Sequence, residues 1–441
     1  MKPVSRGIDR IEAIFDEGTL VANAGLLMVA TVSNRLGLEA LIDSTVRLTG
    51  RVGGARPGRK VLTLAHAMVA GATHIDHADV LRAGSTGRVL GHQVMAPSTL
   101  GTFLRSFTFG HVRQLDRVIA ETIRRVWQTD VGPGGEAMTI DLDSTICEVH
   151  GHAKQGAAYG YTRRLGYHPL IATRAGSGEV LHARLRKGSS QRGTKRFVEE
   201  LIARVRRAGA TGALTLRADA GFWSWAMIDT LTRLGVAWSI TVRINKTIRA
   251  CIEGIDEAAW TPIAYPDGGQ AQVAEATYTT GKGTKARQVR LVVRRTRLTG
   301  RAQQRLWPDW RHHAFITDLD TPTVAADQFH RDHATVELAI RDLKEGAGLE
   351  HCPSGHFFAN AAWLGCAVLA HNLTRWAAQL GGLHPDDQLT VARTIRNRFL
   401  ALPGRLVNRS GRHVLRLPSR WPWATQFTQA IDQIRTLPLL L

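Results

Sequence analysis

Apolar residues recur at helical intervals along the first 130 positions. Leu62, Leu64, Met68 and Val69 give the 3.6-residue period, and residues 99–109 and 112–127 continue it. Pro97-Ser98-Thr99 ahead of Leu100, Phe103 and Leu104 has the composition of a helix start. The pattern predicts a helical N-terminal domain over 1–130. The run Val131-Gly132-Pro133-Gly134-Gly135 then breaks the period and predicts a domain boundary.

Beyond that boundary the period shortens to two. Within 138–147, Ile140 and Leu142 fall on one face and Asp141 and Asp143 on the other, as in a half-buried strand. Residues 167–173 and 179–185 read as two more strands, 194–207 as an amphipathic helix and 213–219 as a strand ending in an acid. A helix over 222–234 and a fifth strand over 237–242 complete the order β-β-β-α-β-α-β. Residues 249–312 interrupt this regularity. Two alternating runs, 270–278 and 287–295, joined by Gly281-Lys282-Gly283, predict a β-rich insertion. After an apolar run at 314–316 the pattern predicts a long helix over about 325–345 and a second, buried helix over about 358–380. The expected organisation is a core at 136–248 and 313–388, an insertion at 249–312 and a basic C-terminal segment at 389–441.

Composition narrows the class. Of 441 residues, 44% are hydrophobic and 21% charged, which excludes a disordered or fibrous chain. Four separated cysteines without CxxC spacing exclude a disulfide scaffold or zinc ribbon and fit a reducing compartment. The apolar runs at 20–32 and 361–370 are shorter than the roughly 20 residues that span a bilayer. Asp9, Glu12, Asp16 and Glu17 precede the first apolar run, the wrong charge sign for a signal peptide. The expectation is a soluble cytoplasmic protein.

Charge changes the picture most. Lys+Arg number 57 and Asp+Glu 37, a net charge of +20, with a pI near 10.8. Such an excess points first to a polyanionic partner, usually nucleic acid, and second to an arginine-rich proteome. Residues 282–311 hold ten Lys/Arg and one acid, and residues 391–420 hold eight arginines and no acid. Trp260, Trp307 and Trp310 lie in or beside the insertion, where an aromatic ring packs in a core or stacks on an extruded base. The short N-terminal helices with a basic final turn (Arg124, Arg125) suit a DNA end-binding module or a helical cap.

Three acids stand out by position: Asp143 on the polar face of the first strand, Asp219 at the end of the fourth and Glu337 inside the long helix. If the fourth strand pairs parallel to the first, Asp143 and Asp219 end side by side, and a crossing helix can bring Glu337 over them. Converging carboxylates repel unless a cation neutralises them. Hard oxygen ligands suit Mg²⁺, and two ions about 4 Å apart clamp both oxygens of an in-line phosphodiester displacement. On an unbroken helix His330, His333, Glu337 and Lys344, at offsets 0, 3, 7 and 14, share one stripe.

The segments Thr139-Ile-Asp-Leu-Asp143-Ser-Thr145, Gln155-Gly-Ala, Gly166-Tyr-His-Pro-Leu170, Leu216-Arg-Ala-Asp219-Ala-Gly-Phe222 and Glu337-Leu-Ala-Ile-Arg-Asp-Leu-Lys344 together resemble a DDE transposase of bacterial insertion sequences. The resemblance is to the cut-and-paste branch, and it spans about residues 60–410. It implies an α/β, ribonuclease H-like core with a mixed five-stranded sheet carrying a β-rich insertion between the second Asp and the Glu. It also implies two Mg²⁺ ions (Mn²⁺ substituting) held by Asp143, Asp219 and Glu337, with Asp141 as the alternative first acid. That branch carries a Tyr-Arg-Glu-Lys signature; here Glu337 and Lys344 keep the last spacing, and His330 and His333 stand in the Tyr and Arg places. The residues expected to contact DNA are His330, Arg331, His333, Lys344, Arg294 and Arg295. The implied partners are the double-stranded DNA of element ends and target, and a second copy of the chain in the synaptic complex. The implied location is the bacterial nucleoid. A nuclease of the same fold and an inactive DNA-binding descendant are the alternative readings.

Overall fold

The computed structural model describes residues 8, 11–151, 153–160, 163–188, 193–265, 269–280, 286–297, 310–383 and 390–440. The expected Gly281-Lys282-Gly283 turn and Trp307 lie outside them.

The N-terminal third is helical. Its longest members are α1 (Pro57–Val69) and α2 (Phe109–Val126). Pro57 opens α1 at a position where a missing N–H costs nothing. Thr108 caps α2 reciprocally with His111, which satisfies donors the first turn leaves free.

Then come the strands of the main sheet: β1 (Met138–Ser144), β2 (Leu170–Arg174) and β3 (Val180–Arg184). Helix α3 (Thr194–Ala208), β4 (Leu214–Ala218), α4 (Trp225–Arg233) and β5 (Val236–Val242) follow. These five strands lie in the order β3-β2-β1-β4-β5. β2 runs antiparallel to β1 and β3, while β4 and β5 run parallel to β1 and to each other. Parallel neighbours need crossover helices, and α3 and α4 supply them.

The sheet is larger than the five strands expected. β6 (Thr261–Ile263), β7 (Gln270–Thr280), β8 (Arg287–Arg297) and β9 (Arg311–Thr317) add to the β5 edge, giving nine strands in the order β6-β7-β8-β9-β5-β4-β1-β2-β3. The apolar run at 314–316 is the joint. It pairs antiparallel with β5, Ala314 opposite Val242 and Ile316 opposite Ile240, and covers an edge that would otherwise present unpaired backbone groups.

The long helix expected over 325–345 is a succession of four helical segments. α5 (Thr323–Arg331) leads through a tight 3₁₀ turn at Asp332–Ala334 to α6 (Thr335–Arg341), and a wider π turn follows at Asp342–Gly346. A change of turn type shifts the angular phase, so a stripe drawn at 3.6 residues does not survive it.

Helix α7 (Phe357–Leu380) is buried nearly all round, with Trp363 and Trp376 at 1% and 0% exposure. It packs against α1 and α2 on one side and β3 on the other. The Asn372 amide closes the β3 edge, accepting from Val180 N at 2.8 Å and donating to Val180 O at 2.9 Å. One contiguous apolar core runs from Val21 to Ile434. Near the C-terminus β10 (Gly404–Arg409) and β11 (Arg412–Arg416) form a hairpin against Leu20–Val21, and α8 (Ala424–Thr436) ends the fold. No helix among the described residues is long and apolar enough to cross a membrane.

Candidate active site

The parallel register of β1 and β4 aligns Asp141 with Arg217 and Leu142 with Ala218. Asp143 and Asp219 are the next residues at the carboxyl ends of these neighbouring strands. That end of a parallel pair is where open α/β sheets place their ligands. Asp219 turns the chain out of β4: its Oδ1 accepts from Gly221 N at 3.0 Å. A side chain at Gly221 would put its Cβ 3.1 Å from that oxygen, which accounts for the glycine.

Glu337 sits exposed on α6 above β1. A cleft of about 260 Å³ opens between Asp143, Ser144 and Thr145 on one side and Glu337, Ile340, Arg341 and Lys344 on the other, with Glu345 and Glu350 at its margin. Lys344 Nζ donates to Ile146 O at 3.2 Å, so its ammonium is held at the cleft wall.

Electrostatics tie the three acids together. Burial, with the charges of Asp219 and Glu337, pushes the Asp143 carboxyl up to about 6. The hydrogen bond from Ser144 N at 2.6 Å and the neighbouring His333 oppose that rise without cancelling it. None of the three acids forms an ion pair with a described residue. Asp141, Asp116, Asp327 and Asp342 are each paired with an arginine. A half-buried, partly neutralised carboxylate between two others is what a hard divalent cation would satisfy, and the oxygen-only donor set fits Mg²⁺.

Asp141 is different. Its side chain is 1% exposed, Arg217 grips both oxygens, and His333 Nδ1 lies 2.8 Å from Oδ1. Of the two candidate acids on β1, the structure engages Asp141 internally and leaves Asp143 at the cleft.

The stripe expected on the long helix survives only in part: Glu337 and Lys344 line the cleft, while His330 and His333 are engaged elsewhere. His330 is 4% exposed and points under α5, between Ser239 Oγ (2.8 Å) and Thr241 Oγ1 (2.9 Å), its ring stacked on Phe315 at 4.0 Å. Burial, with the positive groups around it, holds its imidazole well below the ordinary histidine range. His333 faces Asp141. The three-residue 3₁₀ turn Asp332–Ala334, which includes His333, breaks the regular phase between His330 and Glu337.

The arginines expected at DNA are also engaged. Asp327, wholly buried, binds Arg294 at 3.0 Å and Arg331 at 3.1 Å. Arg295 pairs with Glu257 and lies between the rings of Trp260 (4.2 Å) and Trp310 (4.6 Å), so those tryptophans clamp a side chain of this protein. Four β8 arginines, Arg287, Arg290, Arg294 and Arg295, therefore meet carboxylates from other elements, which sequence distance concealed. Arg217 is the residue the sequence reading missed. Its signal was a charge set in the apolar strand Leu214–Ala218, two residues before Asp219, as Asp141 lies two before Asp143.

A second cluster, Asp116, His182 and Glu200, brings three possible ligand atoms within 4.8 Å. Arg113 and Arg204 already bind Asp116, and Arg113, Arg184 and Arg196 bind Glu200. Hydrogen bonding with His182, together with these arginines, holds both acids far below the usual carboxylate range against the penalty of burial. The cluster is neutralised without a metal and ties α2, β3 and α3 together.

Comparison with known proteins adds an independent finding. The family described as "Transposase DDE domain group 1" matches residues 5–439. No curated protein matches the sequence. Among solved structures the chain is similar to one titled "Cryo-EM structure of piggyBac transposase synaptic complex with hairpin DNA (SNHP)", at 13% identity and a TM-score of 0.44, covering 86% of this chain and 79% of that one.

Proposed function

The chain belongs to the transposase DDE domain group 1 family, and from that premise we propose that it is a DNA transposase that cleaves the ends of a mobile element and joins them to target DNA. Asp143, Asp219 and Glu337 are its catalytic carboxylates in this reading. The observation that carries it is the convergence of three acids that form no ion pair with a described residue, Asp143 and Asp219 at the carboxyl ends of β1 and β4 and Glu337 on α6 above β1. The order β3-β2-β1-β4-β5, with only β2 antiparallel to both neighbours, supports a ribonuclease H-like core.

The residues divide the work. Asp143, Asp219 and Glu337 would hold two Mg²⁺ ions, with Mn²⁺ as a substitute; when bound, these supply charge neutralisation for a phosphodiester displacement. Asp143 would hold a cation through its carboxylate, which Ser144 N orients. Lys344, anchored on Ile146 O, offers a positive charge to a phosphate lying in the cleft. Asp141, Arg217 and His333 position the strands and helix that carry the acids. The reaction class is hydrolysis at an element end, freeing a 3′-OH, followed by attack of that hydroxyl on target DNA. A homodimer around two ends, working on nucleoid DNA in a bacterial cytoplasm, completes the proposal.

A cleavage assay on duplexes carrying the element's own ends, with Mg²⁺, tests it. Asp143→Asn, Asp219→Asn and Glu337→Gln should each abolish strand cleavage while duplex binding persists. Cleavage without joining would favour a nuclease; binding without cleavage by the parent protein would favour an inactive descendant.

A further inference from the structure

The hairpin of β10 and β11 lies in the basic segment of residues 391–420, which holds eight arginines and no acid. Its register sets Arg405 opposite Arg416, Val407 opposite Val414 and Arg409 opposite Arg412. Side chains alternate between the faces of a strand, so these six residues share one face. Leu406 and Leu415, on the opposite face, pack against the core. The ribbon is anchored by its leucines and turns four arginines outward, all exposed.

Two like-charged pairs directly across a hairpin repel and are unfavourable in the protein alone. Elsewhere the fold meets strand arginines with carboxylates, as at Arg287, Arg290, Arg294 and Arg295 of β8. Among the described residues only Arg405 has one here, Glu17 at 2.6 Å. Arg409, Arg412 and Arg416 form no ion pair with a described residue. The turn is tight: Ser410 and Gly411 both take positive φ (49° and 78°), as in a two-residue type I′ turn that matches the twist of the strands. Nothing lies within 4 Å of where a Cβ at Gly411 would be, so the tip is open.

We propose that the outer face of this ribbon is a docking surface for the phosphate backbone of duplex DNA, apart from the catalytic cleft. The two arginine pairs lie four residues apart, about 13 Å at roughly 3.3 Å per residue. The major groove is about 12 Å wide and admits a two-stranded ribbon. One pair then meets each phosphate wall, with Val407 and Val414 between them. Duplex phosphate relieves the cross-strand repulsion that the protein leaves unresolved.

The proposal rests on the reading of the chain as a DNA-acting transposase, and the experiment separates the two. Binding of the full chain to a random-sequence duplex of about 30 base pairs is measured by fluorescence anisotropy across salt concentrations. Each phosphate contact contributes about 0.9 to the slope of log affinity against log salt. Replacing Arg409, Arg412 and Arg416 together by Gln should lower that slope by about 2 to 3, and by Lys should preserve it. A charge-matched variant with Arg233, Arg287 and Arg290 replaced by Gln should keep the parent slope, because those side chains are paired. If the triple Gln variant loses its fold, each single Gln variant should lower the slope by about 0.9. An unchanged slope in the ribbon variants, or an equal loss in the charge-matched one, overturns the proposal and leaves the catalytic reading intact. Persistent cleavage by Asp143→Asn overturns the catalytic reading and leaves the ribbon intact.

Discussion

Arg217 holds Asp141 across neighbouring parallel strands, Nε to Oδ1 at 2.7 Å and Nη2 to Oδ2 at 2.9 Å, with Arg217 Nη1 also donating to Phe329 O at 2.6 Å. One ion pair thus joins β1, β4 and the helix leading to Glu337. Two residues further on, Asp143 and Asp219 repeat the juxtaposition without a cation between them.

That contrast separates the two β1 acids by stability. Asp141→Asn leaves a buried guanidinium short of a counter-charge and should cost about 3–5 kcal/mol. Asp143→Asn removes a half-buried charge from a repulsive group and should cost nothing, or stabilise, in the absence of divalent cations. Urea unfolding of both variants in chelator checks this; equal losses would refute the assignment of roles.

The raised Asp143 carboxyl makes stability fall as pH rises. A group with a higher pKa folded than unfolded binds its proton more tightly in the folded state, so its stabilisation is present below about 3.8 and lost as pH rises through about 6. Unfolding of the parent and of Asp143→Asn in chelator between pH 4 and 7 should differ in slope in that sense. Divalent cations should raise the melting temperature more at pH 7.5 than at pH 5, because protons compete below about 6. Asp143→Asn should lose most of the cation response.

Buried histidines act in the opposite sense. His330 is held well below 6.5, His313 down to about 4 and His371 to about 3, burial being the main cause. Below about pH 6.5 the unfolded chain takes up protons that the folded chain refuses, so these three groups cost stability on acidification. His330→Phe keeps a ring on Phe315 but strands the Ser239 and Thr241 hydroxyls, at about 1–3 kcal/mol. It should be weaker than the parent at pH 7 and lose less between pH 7 and 5. Denaturation at the two pH values reads both effects.

Arg294 serves the fold. Arg294→Ala leaves the buried Asp327 with Arg331 alone and should cost about 1–3 kcal/mol. The salt dependence of duplex binding should stay within experimental error of the parent. A flattened slope at unchanged stability would return Arg294 to the DNA interface.

Local elements were legible in the sequence because they follow local rules. The alternation of Ile140 and Leu142 with Asp141 and Asp143 marks a strand wherever it is found, and the strands read at 213–219 and 237–242 occupy Leu214–Ala218 and Val236–Val242. The grouping of Asp143, Asp219 and Glu337 proposed here starts from the same local rules, since each lies on or at the end of one of these elements. The phase of the helix before Glu337 was not legible. A 3₁₀ turn at Asp332–Ala334 has no strong signature in composition, and it is stabilised by what its neighbours reach: His330 by Ser239 and Thr241, His333 by Asp141.

Charge divides most clearly between the two levels. The sequence by itself determined the excess of +20, the two basic runs and the elements that carry them, since these are properties of residues and their neighbours. Which arginines remain available was decided only by tertiary structure, because an ion pair needs a carboxylate within about 4 Å and chain distance says nothing of that. Folding brought Asp229, Glu275, Asp327 and Glu257 to Arg287, Arg290, Arg294 and Arg295, and so matched four of the five arginines of β8. Among the described residues it brought no acid to Arg409, Arg412 or Arg416, and no basic side chain to Asp143, Asp219 or Glu337 as an ion pair. Arginines left without an ion pair on the ribbon, and acids left without one at the ends of β1 and β4 and on α6, are the outcome of packing among the described residues.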